Sequence, residues 1–238
     1  MPGSFKTEAV VLRSIRYGEA DRVLHLYTAD RGRVGAMAKG VRRVRSRLGG
    51  RLEPLSRVLL VLHEGRGELC TVSQADTVHA HPALRERRAS LERATQACDA
   101  VLRLFDSSEA NRPAFNLLCN ELALLDADSA AATRSQALAF RAKLLLAAGF
   151  APELGLCASC GETEHLGGFS PSAGGVVCPA CEAGSFPLGQ EAHEFLVAAV
   201  ARPLSQAPDA SGPALGQADR ALAETLEHHE HVRLRRVA

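Results

Sequence analysis

Two groups of residues in this 238-residue chain have the types and spacing to do chemistry. The first is Cys157-x2-Cys160-x17-Cys178-x2-Cys181. Each C-x-x-C turn presents two sulfurs, and two such turns complete the tetrahedron that Zn2+ takes, with Zn–S distances of about 2.3 Å. The intervening segment is rich in glycine and short of large apolar residues, so metal ligation would supply its folding energy. Four thiolates leave no open position for water or substrate, which makes the expected metal a single structural Zn2+. An iron–sulfur cluster remains the other use of four cysteines. A thioredoxin-like redox role would need a C-x-x-C at a helix start in a βαβ context, which is absent. His165 reads as a solvent-facing loop residue, and Cys70, Cys98 and Cys119 as small buried hydrophobes.

The second group is "KGVRRVRSRLGGRLEP" at 39–54, where Lys39, Arg42, Arg43, Arg45, Arg47 and Arg51 occur with no acid before Glu53. Arg31, Arg33 and Arg57 extend the run on either side. The chain carries a net charge of only +1, but residues 1–81 carry +6, residues 82–156 zero and residues 157–238 −5. Such polarity points to a polyanion at the N-terminal end. Gly35 and Gly40 have the separation of a phosphate-binding loop, but Val41 and Arg42 stand where Lys and Ser/Thr would be needed, so nucleotide binding is not expected. Contact with a nucleic-acid backbone fits better, because clustered cations release condensed counterions. Aromatic rings for base stacking are scarce: residues 1–81 hold only Phe5, Tyr17 and Tyr27, and the chain has no Trp. Charge-dominated binding with little preference between single and double strands is therefore expected. Tyr27 is left open between groove and core. No histidine falls in a nucleophile motif, and the "HHEH" at 228–231 reads as a solvated helix end.

The elements that must position these groups change character along the chain. Residues 5–80 alternate in short strands with Gly-containing turns, which suits a five-stranded Greek-key barrel of the OB type. "RVLLVLHE" reads as a strand buried on both faces. From Pro82 the period becomes helical, with one helix from 82 to 105 and two more at "RPAFNLLCNELALLDA" and "AATRSQALAFRAKLLLAAGF", the last ending at Gly149. Helical periodicity returns after 187. The expected organisation is α+β: residues 1–81 an OB-fold, 82–151 and 187–238 a helical domain, and 152–186 a zinc knuckle inserted in it. With no apolar N-terminal stretch and no long apolar run, a cytoplasmic protein is expected.

Taken together, "KGVRR", "RSR", "GRLEPL" and "GRGELCTVSQAD", followed by helices and a four-cysteine knuckle, resemble the bacterial DNA repair family RecO over essentially the whole chain. The resemblance implies a non-enzymatic recombination mediator. It would bind single- and double-stranded DNA, anneal complementary strands and, with RecR and the single-strand binding protein SSB, help load RecA. It places DNA contacts at the six cations of the loop, with Arg31, Arg33 and Arg66 in addition. It also suggests a helical groove edged by Arg134, Arg141 or Lys143 for the SSB tail. An RNA-binding zinc-ribbon protein and a zinc-scaffolded protein-interaction module are the competing classes.

Overall fold

Alternation of aliphatic and polar residues closes the first five strands into a barrel. The computed structural model describes residues 3–46, 48–65, 67–106, 108–230, 234 and 237. They fall into two compact units, Met1–Ser129 and Ala130–Ala238.

In the first unit, β1 (Ser4–Tyr17), β2 (Asp21–Thr28), β3 (Gly32–Ala38), β4 (Arg57–His63) and β5 (Cys70–His79) pair in the order β1-β2-β3-β5-β4. β4 returns to β1 and closes the ring, giving the five-stranded barrel that the sequence predicts. β1 serves two partners: Ser4–Val10 pairs with β4, and Ala9–Tyr17 with β2. A register shift between Val11 and Arg13 bends the strand from one partner to the other. Val11, Leu24, Leu26, Leu60, Leu62 and Val72 fill the interior, each large side chain contributing about 1.5–3 kcal/mol by its burial.

β4 differs from expectation. Val58, Leu60 and Leu62 are buried inside, whereas Leu59 and Val61 are only half-buried outside. An antiparallel barrel strand has one core face, and an unbroken apolar run does not reveal how well its other face is covered.

The helix expected over 82–105 is two helices, α1 (Pro82–Glu86) and α2 (Arg88–Leu104), broken at an extended Arg87. Both α1 and the break meet the end of α3 (Arg112–Ala127). There Asp126 accepts the Leu84 N–H through Oδ1 at 2.8 Å, and its carbonyl accepts from Arg87. That cap comes from a residue 42 positions away, which helical periodicity does not record. α2 packs on β1 and β2.

In the second unit, α4 (Arg134–Ala148) packs against α5 (Gln190–Ala201) and α6 (Gly212–Glu230), and α4 ends at a left-handed Gly149 as expected. Between α4 and α5 the chain forms β6 (Gly168–Ser170), β7 (Gly175–Val177) and β8 (Phe186–Pro187), ordered β7-β6-β8. This small sheet carries the cysteine segment. Among the described residues, no helix is long and apolar enough to cross a membrane.

Candidate nucleic-acid interface and metal centre

The basic loop, residues 39–56 between β3 and β4, is a built structure. Most of its apolar residues point inward: Val41 and Leu52 are buried in the barrel core, and Leu48 packs against it, whereas Val44 is fully exposed. Its start is tied to the turn between β1 and β2. The Gly40 N–H donates to Asp21 Oδ1 at 2.7 Å, and the Arg42 N–H to the Ala20 carbonyl at 2.9 Å. With Val41, Leu48 and Leu52 committed inward, Lys39, Arg42, Arg43, Arg45 and Arg51 are left exposed. Among the described residues no carboxylate pairs with Lys39, Arg42, Arg43 or Arg45, although Arg42 also donates to the Glu19 carbonyl. Arg47 and Arg66 lie outside the described residues, as do His231 and the terminal arginines 233, 235 and 236.

The flanking cations are more engaged. Arg31 pairs with Glu64 and stacks its guanidinium over the Phe5 ring, 3.8 Å from the centroid. Arg57 pairs with Glu8, and Arg22 with Glu53 at 3.0 Å. Arg33 is half-buried on β3, opposite Tyr27 on β2. Arg31, Arg33 and Arg57 therefore add less to the positive surface than the loop itself.

The cations suggested for a groove edge in the helical region are engaged within the fold. Arg141 is buried and donates to Asp219 Oδ1 at 2.6 Å. Lys143 donates to the Val200 carbonyl at 2.8 Å, and Arg134 lies 4.0 Å from Asp219. A buried carboxylate must be neutralised where it sits, and Asp219 draws these arginines inward.

The four cysteines converge. Their sulfurs all lie within 4.8 Å of one another, and no other described side chain joins the group. Cys157 opens a tight turn in which its carbonyl accepts the Gly161 N–H at 2.8 Å. Cys178 and Cys181 flank a single 3-10 turn, the Cys181 N–H returning to the Cys178 carbonyl at 2.9 Å. The two turns are joined by the Ala158 N–H donating to the Val176 carbonyl at 2.8 Å. Close packing of Glu153 against β7 leaves no room for a Cβ at residue 175, which is Gly175.

The donor set fits a tetrahedral ion. Cys160 Sγ and Cys178 Sγ are 3.7 Å apart, against about 3.8 Å for the edge of a tetrahedron built on Zn–S bonds of ~2.3 Å. Backbone N–H groups, foremost that of Cys178, pull the Cys157 thiol down to about 6, so the fold itself favours a thiolate there. Cys157 and Cys178 are buried, Cys181 is half-buried and Cys160 exposed. His165 stays exposed and outside the cluster.

Tyr27 resolves toward the core. It is fully buried, with its ring 5.4 Å from that of Phe105 at the end of α2, and burial pushes its hydroxyl up. The aromatic left at the surface is Tyr17, at the end of β1 beside the turn on which the loop is tied. Its exposure has no local signal, because both tyrosines sit in alternating strands.

Comparison with known proteins covers nearly the whole chain. The family described as "Recombination protein O N terminal" matches residues 1–81, and "Recombination protein O C terminal" matches residues 89–236. The chain is similar to the DNA repair protein RecO of Rubrobacter xylanophilus, with 39% identity over 94% of this chain and 92% of that protein. It is similar to the RecO of Anaeromyxobacter sp. strain Fw109-5 at 34% over 96% and 92%, respectively. With the RecO of Pelotomaculum thermopropionicum it shares 38% identity over 75% and 69%.

Proposed function

The chain belongs to the RecO family and has that family's part in DNA repair and recombination, and from this premise we propose that it acts by binding, not by catalysis. Lys39, Arg42, Arg43, Arg45, Arg47 and Arg51 hold the phosphates of single- and double-stranded DNA, with Arg31, Arg33 and Arg66 at the margins. Neutralising two polyanions on one surface lowers their mutual repulsion, so complementary bases can meet and anneal. RecR and the SSB tail are the proposed protein partners and RecA loading the downstream step, all in the cytoplasm. This part of the reading is supported by the family alone.

The observation that carries the DNA-binding reading is the loop's division of labour. Val41, Leu48 and Leu52 pin it to the barrel while Lys39, Arg42, Arg43 and Arg45 face solvent without carboxylate partners among the described residues. A charge run that merely kept the surface solvated would need no such pinning. At the four-cysteine centre we assign one Zn2+, held by Cys157, Cys160, Cys178 and Cys181. Bound there it supplies a rigid cross-link between two turns, and the filled tetrahedron reserves no position for substrate.

The test is annealing of bare complementary strands across a salt series, with zinc content measured on the same samples. Combined Arg42→Glu, Arg43→Glu and Arg45→Glu should abolish annealing and leave zinc content unchanged. Retained DNA affinity in that variant would turn the reading toward an interaction module, and preference for structured RNA over DNA toward an RNA-binding protein.

A further inference from the structure

The outer face of the β1–β2–β3 sheet is covered at one end and open at the other. At the covered end Val10 and Tyr27 are cross-strand partners and both are fully buried, on strands against which α2 packs. Nearer the β1–β2 turn the same face continues through three further pairs: Arg13 opposite His25, Ile15 opposite Val23, and Tyr17 opposite Asp21. Here the cover ends. Tyr17 is 60% exposed and Ile15 42%.

The strip widens onto β3, where Val23 pairs with Met37 and His25 with Gly35. A Cβ at Gly35 would lie 2.7 Å from Leu69 Cδ2, so the absence of a side chain lets Leu69, itself 40% exposed, fold over this edge. Partial burial, Arg33 and Arg13 all disfavour protonation of His25, which keeps its ring neutral. An apolar and aromatic strip thus runs from Tyr17 to Leu69. Exposed Arg13 and half-buried Arg33 lie near His25 at one end, and the turn carrying Arg42 lies at the other.

We propose that this strip is a base-stacking platform for single-stranded nucleic acid, with Tyr17 its principal ring. The occupant follows from charge and shape together. It must present flat apolar faces to Tyr17, Ile15 and His25 and negative charge to the arginines at both ends. An unpaired strand offers both, whereas a duplex keeps its base faces inside the stack. The basic loop, which holds phosphates of either form, does not distinguish them; the strip supplies the difference. The inference rests on the loop reading above.

The experiment compares three probes of equal length at low salt: oligothymidylate, an abasic strand carrying the same phosphates, and a duplex. Tyr17→Ala should weaken oligothymidylate binding by about tenfold or more, the scale of one lost base stack, and leave the abasic strand and duplex unchanged. Tyr17→Trp should retain affinity. Its indole, the only one in a chain without Trp, should be quenched by oligothymidylate and not by the abasic strand. Equal losses on all three probes would overturn the platform, as would an unaltered oligothymidylate affinity, which would assign the face to a protein partner instead. A wild type that binds the strands but does not prefer oligothymidylate to the abasic probe would sink this inference alone. A wild type that binds none of the three would sink the loop reading with it.

Discussion

The backbone N–H of Gly40 donates to Asp21 Oδ1 at 2.7 Å, so the first residues of the basic loop are tied to the turn between β1 and β2. The bond joins a carboxylate to an amide, a class worth about 1.5–3 kcal/mol. Asp21→Ala should speed hydrogen exchange at the Gly40 amide by tenfold or more, while amides of the barrel interior such as Leu24 and Leu60 keep their protection. Unchanged exchange at Gly40 would mean that Val41 and Leu52 hold the loop by themselves.

The loop's share of DNA affinity is readable from salt. For duplex DNA, log K falls with log salt at a slope of about −0.9 per phosphate neutralised. Replacing Arg42, Arg43 and Arg45 together by Gln should flatten that slope by about two to three, with a similar loss on every sequence. A sequence-dependent loss would contradict a role confined to phosphates.

Metal removal should act locally. Cys157→Ser or a strong chelator should empty the four-sulfur centre and strip protection from Phe169, Val176 and Val177, which are buried in the small sheet that carries it. Structural zinc contributes about 10–16 kcal/mol to small sites that fold around it, so partial order in the emptied segment is not expected. The barrel strands should retain their protection. Exchange data on holo and chelated protein check both halves.

Acid should weaken the junction between barrel and helices. His81 is buried, its Nδ1 lies 2.8 Å from the Leu55 carbonyl, and its ring is 4.3 Å from that of His79. Burial holds it below the usual histidine range, with neighbouring His79 and Arg85 acting the same way against the Leu55 carbonyl and Asp126. The folded pKa is therefore below the unfolded value of about 6.5, and the unfolded chain binds the extra proton. Stability from this residue is present above about pH 6.5 and is lost as pH falls toward the folded pKa. His81→Asn, which tolerates the left-handed backbone seen at φ +50°, should reduce the slope of stability against pH between about 7 and 5. An identical slope in urea titrations of both proteins would assign it to other groups.

The pair formed by Arg141 and Asp219 should behave as a buried one. Asp219→Ala leaves a buried guanidinium without its carboxylate and should cost about 3–5 kcal/mol. Arg141→Met combined with Asp219→Leu should recover part of that loss, because the buried guanidinium goes with its carboxylate, while Arg134 still loses its neighbour. Thermal melts of the three proteins decide it.

The four-cysteine centre was legible residue by residue, because metal ligands with short spacings carry their geometry in the chain itself. The barrel was legible too, since the inward set of Leu24, Leu26, Leu60 and Leu62 follows the period of a strand. The break at Arg87 was not: helical periodicity runs through it, and the contacts that Asp126 makes with Leu84 and Arg87 come from 42 and 39 positions away. Arg141 read as an available cation for the same reason: its partner Asp219 is 78 residues away.

By itself, then, the sequence determined which residues would cluster as thiolates, which strands would alternate and where positive charge would concentrate, since these depend on neighbours within a few positions. Only the tertiary structure decided exposure. Tyr17 and Tyr27 lie on one outer sheet face, and α2 packs near the end that carries Tyr27 while the other stays open. Strand period assigns a residue to a face; what lies over that face is set by an element distant in sequence, through packing that no local pattern encodes.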